Sequence, residues 1–334
     1  MRIVVLGGAG YVGSHTARAL SRRGHKAIVY DNLSSGYPQF ANGFELMVGD
    51  IRDRQKLMKT FRGCDAVFHF AAHAYVGESV GDPRKYFDNN VEGSLCFLNA
   101  ALDAGIQKVV FSSTCATYGC PTTIPISDQT LQNPVNPYGA SKLFLEHALR
   151  SYDRAYGMRS VALRYFNAAG ADDSGEIGEI HKREARLIPA ALEAILGERS
   201  ELQIFGDDYA TPDGTCIRDY VHVNDLAEAH VLALEYLFNG GETTAFNLGT
   251  GRGNSVREVL STIEQVTGSD VPVRTSPRRP GDPPVLVADP TRTHRVLKWR
   301  AVRDLTDVVS SAWKWMLSEH RSIAKARSRL AMSS

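Results

Sequence analysis

The chain has 334 residues, enough for one large α/β unit or two lobes sharing a cleft. It is 43% hydrophobic and 22% charged, as ordinary globular proteins are, and its 38 basic residues against 37 acidic argue against nucleic acid or a membrane surface as the main partner. Cys64, Cys96, Cys115, Cys120 and Cys216 are scattered and form no Cys-x-x-Cys pair, which predicts reduced thiols in a cytoplasm. No secretory signal is expected, because the apolar start is short and runs into a glycine loop. No segment approaches the roughly 20 apolar residues of a membrane span.

In chain order, Ile3-Val4-Val5-Leu6 reads as a buried strand, the loop from Gly7 to Gly13 as a turn, and Ser14 to Arg22 as a helix. Further strands are predicted at Ala27–Val29, Phe44–Val48, Ala66–Phe70, Lys108–Ser112 and Ser160–Arg164, with helices near 53–62, 83–104 and 137–156. This rhythm predicts an α/β fold, a Rossmann-type doubly wound parallel sheet over 1–166. After Asn167 the rhythm breaks, and 167–334 is expected to form a smaller C-terminal substrate-binding lobe, with 217–240 returning to the first. There, 168–185 reads as a loop, Leu187–Leu196 and 225–238 as helices, Leu202–Phe205 as a strand, and Pro272–Pro284 as a Pro-rich loop before two final helices. The basic tail Arg321–Ser334 reads as a solvated or frayed end.

The strand, the glycine turn and the helix start together make a phosphate seat. Gly7 permits the tight turn, Gly10 lets backbone approach a pyrophosphate, and Gly13 lets helix and strand pack closely; Tyr11 and Val12 lie in the same seat. Asp31, about 20 residues further on, is placed to accept hydrogen bonds from an adenosine ribose and would repel a 2′-phosphate, so NAD is favoured over NADP. Asp50-Ile51 either flanks the adenine or enters a helix. Phe70-Ala71-Ala72 puts small residues under a dinucleotide, and Asn89 and Asn90 either contribute or cap a helix.

Ser112-Ser113-Thr114 ends a strand at the carboxyl edge of the sheet. Tyr138 and Lys142, four residues apart on a helix, share one face, and a cation there is expected to lower the tyrosine pKa. A general base beside a dinucleotide implies hydride transfer coupled to proton transfer. Arg218 and Arg279 are candidates for anionic substrate groups. His69, His73, His147, His181 and His222 show no metal-ligand spacing and are read as structural, with no metal expected.

The stretches GGAGYVGSHT, DNLS, GDIRD, HFAA, VGES, DNNVEGS, FSSTCATYG, NPYGASK, LRYFNAAGA, DGTCIRDYVHV, NLGTG and RRPGD resemble an extended short-chain dehydrogenase/reductase, specifically the UDP-glucose 4-epimerase group, over roughly Arg2 to Trp315. The resemblance implies bound NAD, a UDP-sugar substrate and a homodimer through the helices at 83–104 and 137–156. It implies that Tyr138 takes the proton from the sugar 4-OH, that Lys142 holds the nicotinamide ribose, and that Thr114 hydrogen-bonds the 4-oxygen. Asn32, Ser112 and Tyr165 would join the cofactor set. Asn167 would bind the diphosphate, Arg218 and Arg279 the phosphates, Asp282 the uridine ribose, and Ile204-Phe205 the uracil.

The chain departs from that pattern at several places. Ala74-Tyr75 stands where relatives often have lysine, Leu6 where they often have threonine, and Arg186 just before Leu187-Ile-Pro, where relatives have Asn or His. Leu286 occupies the position that sets pocket size. A UDP-xylose/arabinose or UDP-N-acetylhexosamine 4-epimerase is the nearest alternative, and a dinucleotide-sensing protein the non-enzyme one. A 4,6-dehydratase would need an acidic pair after the strand-end threonine, where this chain has Cys115-Ala116.

Overall fold

The computed structural model describes residues 1–180, 186–279 and 282–333, with only the backbone described over 320–333. The first half runs β1 (Arg2–Leu6), α1 (Tyr11–Arg22), β2 (Lys26–Asp31), β3 (Glu45–Val48), α2 (Arg54–Phe61), β4 (Ala66–His69), the short α3 (Val76–Gly81) and α4 (Pro83–Tyr86), a π-helical run Phe87–Glu92, α5 (Gly93–Asp103), β5 (Lys108–Thr114), α6 (Pro137–Tyr156) and β6 (Arg159–Tyr165). The second half runs β7 (Asn167–Ala169), α7 (Leu187–Ile195), β8 (Leu202–Phe205), β9 (Ile217–Arg218), β10 (Tyr220–His222), α8 (Val223–Phe238), β11 (Thr244–Leu248), β12 (Asn254–Ser255), α9 (Val256–Thr267), β13 (Val273–Ser276), β14 (Val285–Leu286), α10 (Thr291–Leu297) and α11 (Leu305–Ser333).

Seven strands form one parallel sheet in the order β11-β6-β5-β4-β1-β2-β3. Its central strands are continuous apolar runs because helices cover both faces. Ile3, Val5 and Phe68 pack with α1 and α8 on one face, and Val4, Val67 and Phe111 with α2, α5 and α6 on the other. The strand order reverses between β1 and β4, which opens a crevice at the carboxyl ends of the strands, the usual ligand position in such sheets.

Four expectations change. Residues 83–104 are not one regular helix: α4 passes through the π-helical run before α5. Asn90 in that run faces inward, accepting from His73 N at 2.9 Å and donating to His73 O and Ser141 Oγ. The segment after Asn167 is not all loop, since β7 pairs in parallel with β10, and the stretch Pro272–Pro284 contains β13, paired with β8. Residues 217–222 do not return to the large sheet: β9 lies between β12 and β14 in a three-stranded sheet, and the return is made by α8 and by β11, an edge strand next to β6. The second lobe has its own core, in which Ile188, Leu192, Val259, Ile263, Val308 and Val309 bring α7, α9 and α11 together. Residues 181–185, the end of the expected loop, and the side chains of the tail lie outside the described residues.

Candidate active site

The glycine turn is shaped by steric necessity. Gly7 has φ +77°, and a Cβ there would lie 2.5 Å from Ala71 N at the end of the neighbouring strand. A Cβ on Gly13 would run into the Gly7 carbonyl oxygen. No side chain caps α1, whose cap residue is Gly10, so the first turn at Tyr11, Val12 and Gly13 presents backbone N–H groups and the positive helix end toward the crevice. This cradle fits a pyrophosphate. Tyr11 also ties the turn to the second lobe, donating to Gly170 O at 2.6 Å.

Asp31 ends β2 as a buried carboxylate. Its Oδ2 accepts from Ala9 N at 3.0 Å and its Oδ1 from Leu33 N at 2.8 Å. Burial raises its pKa, against the pull of those two N–H groups. Asn32 donates to Asp50, which the Arg52 side chain clamps, and that clamp holds the Asp50 carboxyl well below the usual range. Ile51 is buried against Gly93. Phe70 N and Ala71 N both donate to Leu6 O, which holds the end of β4 beside the glycine turn, and Ala72 follows half-buried. Asn89 donates to Asn90, the residue that makes the inward contacts.

The reactive cluster lies at the ends of β5 and β6. Helix α6 starts where it does because the Asn136 side chain accepts from Gly139 N at 2.8 Å and Pro137 takes the first turn. That start sets Tyr138 beside Thr114, whose hydroxyl favours the ionised phenol. Thr114 Oγ1 also accepts from Ala116 N at 3.1 Å. One turn on, Lys142 donates to the Ser112 carbonyl oxygen at 2.8 Å, with its ammonium 4.9 Å from the Phe111 ring centroid and 5.9 Å from that of Tyr138. Ser112 Oγ and Tyr165 OH form a short hydrogen bond, and burial raises the Tyr165 pKa.

The expected lowering of the tyrosine pKa by the lysine is not found in the chain alone. Burial pushes Tyr138 up to about 12, opposed by the Thr114 hydroxyl, and draws Lys142 down to about 7. Desolvation favours the neutral form of each group.

The substrate-side residues fall into two sets. On the three-stranded sheet, Leu286 is in register with Arg218, whose guanidinium donates to Asp282 Oδ1 at 2.7 Å. Leu286 packs with Cys115, Tyr118, Ile126, Phe166 and Ala288. On the other pair of strands, the Arg279 guanidinium lies 3.8 Å over the Phe205 ring, whereas Ile204 is buried in the second-lobe core and does not face a cleft. Asn167 starts β7, its N–H donating to Asp219 O at 2.9 Å. Arg186 pairs with Glu179 just before Leu187, and its charge reaches both Tyr138 and Tyr165.

Cys115 joins the two halves: its half-buried thiol, pushed up by desolvation to about 12, lies beside Thr114, feels the Arg218 charge and packs on Leu286. In the sequence Cys115 stands out only as a non-acidic residue, and its place beside Thr114 is the signal for more. His230, whose ring packs on Phe70 and Tyr165, was missed for want of any local signal. His69 is buried against Ser94. His181 lies outside the described residues. Among the described residues no cluster of three or more His, Cys, Asp or Glu is arranged to hold a metal, and no helix is long and apolar enough to cross a membrane.

Residues 3–249 match the model of the NAD dependent epimerase/dehydratase family. A UDP-glucose 4-epimerase of Rhizobium meliloti (strain 1021) is 51% identical over 315 residues, 94% of this chain and 96% of that one. The crystal structure of UDP-glucose 4-epimerase from Brucella ovis in complex with NAD is 51% identical, with a TM-score of 0.92 over 93% of this chain and 97% of that one. UDP-glucose-4-epimerase from Stenotrophomonas maltophila, solved with bound NAD and formylated UDP-arabinopyranose, is 40% identical, with a TM-score of 0.93 over 96% and 99% of the two chains.

Proposed function

The chain belongs to the NAD dependent epimerase/dehydratase family, and on that premise we propose that it interconverts UDP-glucose and UDP-galactose at C4 through a transient 4-keto sugar. The observation that carries this reading is Lys142 tied to the end of β5 through the Ser112 carbonyl, with the Tyr138 ring on the same helix face and Thr114 ending the same strand. Cys115-Ala116 after Thr114 supplies no acid for water elimination, which favours epimerisation over dehydration.

Bound in this seat, NAD would supply the hydride acceptor and donor that C4 inversion requires. Gly7, Gly10, Tyr11, Val12 and Gly13 hold its pyrophosphate and Asp31 its adenosine ribose, with Asn32, Asp50, Ile51, Phe70, Ala71, Ala72, Asn89, Ser112 and Tyr165 shaping the rest of the seat. Tyr138 removes the proton from the sugar 4-OH and gives it back after the sugar has turned. Thr114 holds the 4-oxygen, and Lys142 holds the nicotinamide ribose. Arg186, Arg218 and Arg279 carry the diphosphate with Asn167 and Leu187, Asp282 and Phe205 hold the uridine, and Leu286 walls the sugar. Ion pairing to Glu179 and Asp282 keeps two of these guanidiniums in place before substrate arrives. Anchoring the nucleotide firmly and the sugar loosely permits rotation without release.

The intermediate size of Leu286 favours a second, weaker activity on UDP-N-acetylhexosamines. A panel of UDP-glucose, UDP-galactose, their N-acetyl forms and UDP-xylose tests the reading. The highest catalytic efficiency is expected on the plain hexoses, and a preference for UDP-xylose would replace this reading with a pentose one.

The protein is further proposed to be cytoplasmic and to form a homodimer through the face that carries α3 to α6, where Val80, Phe87 and Phe144 stand exposed. Sizing by light scattering at micromolar concentration checks the dimer.

A further inference from the structure

A buried polar chain runs from the helix that carries Tyr138 and Lys142 to the strand that carries Leu286. Glu146 lies one turn beyond Lys142 on the same face of α6. Its carboxylate accepts from Ser113 Oγ at 2.6 Å and from Arg164 Nε and Nη2 at 2.9 and 2.6 Å, and the side chains of the ion pair are only 1% and 4% exposed. Burial alone would raise the Glu146 pKa, but the Arg164 guanidinium together with the Ser113 and Gln132 hydrogen bonds outweighs it and holds the carboxyl below its ordinary value.

The same guanidinium donates to Tyr118 OH at 2.8 Å, Tyr118 OH donates to Asn247 Oδ1 at 2.6 Å, and Asn247 Nδ2 donates to Ile126 O at 2.8 Å. Ile126 in turn pairs with the strand after Leu286: its N–H donates to Val287 O, and its carbonyl accepts from Asp289 N, both at 2.8 Å. Each link is a defined donor on a defined acceptor. A buried network satisfied in this way favours one arrangement, and removing the Tyr118 hydroxyl takes the donor from the buried Asn247 Oδ1.

We propose that Tyr118 and Asn247 are positioning residues that fix the sugar-side wall at Leu286 relative to the Tyr138 base. This rests on the functional reading above. Neither residue is placed to touch substrate. Tyr118 has its hydroxyl in the network and its ring in the same apolar cluster as Leu286 and Cys115, so it senses both ends. The wall is not held by the large sheet itself, since β14 pairs with β9, and this network is a direct polar route from that wall to α6.

The test compares wild type, Tyr118→Phe, Leu286→Tyr and the double variant on the UDP-sugar the panel ranks first and on UDP-N-acetylgalactosamine, with NAD content and melting temperature measured alongside. Tyr118→Phe removes one oxygen and keeps the ring. It is expected to retain NAD, to lower kcat by about threefold or more with KM within about twofold, and to combine with Leu286→Tyr non-multiplicatively by a similar factor, as residues sharing a network do. Asn247→Asp keeps the acceptor for Tyr118 and removes the donor to Ile126; it repeats the measurement if Tyr118→Phe does not fold. A folded, NAD-loaded variant with kcat within about twofold of wild type, or with effects that simply multiply, overturns the proposal. So does the failure of both variants to fold, which would make the network a folding element. If Leu286→Tyr leaves the ratio of kcat/KM for the N-acetylated and plain hexoses unmoved, the wall assignment fails, and the kcat of Tyr118→Phe then decides the network by itself.

Discussion

Lys142 and Tyr138 share a face of one helix, yet the lysine hydrogen-bonds the Ser112 carbonyl and stands 5.9 Å from the tyrosine ring centroid. The lysine is therefore placed by the sheet, and the tyrosine by the capped start of α6. Tyr138→Phe should fold and retain NAD while losing turnover by at least about 10²- to 10⁴-fold, the usual contribution of a general acid–base group. A rate within a few-fold of wild type would remove Tyr138 from the proton path.

The carboxylate at Asp31, with no arginine beside it in the sequence, sets the cofactor prediction. Purified protein should release NAD on denaturation and should turn over without added reductant. Mass spectrometry of the released nucleotide decides between NAD and NADP, and NADP as the main species would overturn the role given to Asp31.

Leu286 sets the substrate prediction. Leu286→Tyr should suppress turnover of UDP-N-acetylgalactosamine and largely spare UDP-galactose, because a bulkier wall excludes the N-acetyl group without improving the other fit. The ratio of kcat/KM for the two substrates should move by about 1–3 kcal/mol. An unmoved ratio would mean that Leu286 does not face the sugar.

Buried histidines set the acid limit. His15, His222 and His230 are each lowered by burial to about 4. His15 and His230 are neutral donors from Nδ1 to the carbonyls of Tyr11 and Leu226, and His222 Nδ1 accepts from Asn224 N. A folded pKa below the unfolded 6.5 means that the unfolded chain binds more protons between the two values. These groups therefore stabilise the fold fully above about pH 6.5, and the contribution is lost as pH falls toward 4, on the order of 3 kcal/mol for each. Denaturant midpoints measured from pH 7 to 4 should fall steeply, and His230→Gln, if folded, should flatten the slope. A midpoint independent of pH across that window would contradict the assignment.

Much of this molecule was legible in the sequence because its signals are local. The apolar runs at Ile3–Leu6 and Lys108–Ser112, the glycine turn, and the Asn136-Pro137 start of α6 are each dictated by nearby residues, through burial, steric clearance and capping. The order of Tyr138, Lys142 and the strand-end Thr114 was also readable, since each falls at an identifiable end or face of an element.

What the sequence did not decide depends on residues far apart in the chain. Edge strand β11 and the parallel β8–β13 pair exist only because distant segments supply their partners. The pairing of Arg218 with Asp282 spans 64 residues, and the link from Tyr118 to Asn247 spans 129. The protonation preference of Tyr138 and Lys142 reversed for the same reason. Four-residue spacing brings the two groups together, but the surrounding lobes strip them of water, and in the chain alone that desolvation outweighs the attraction that spacing suggests.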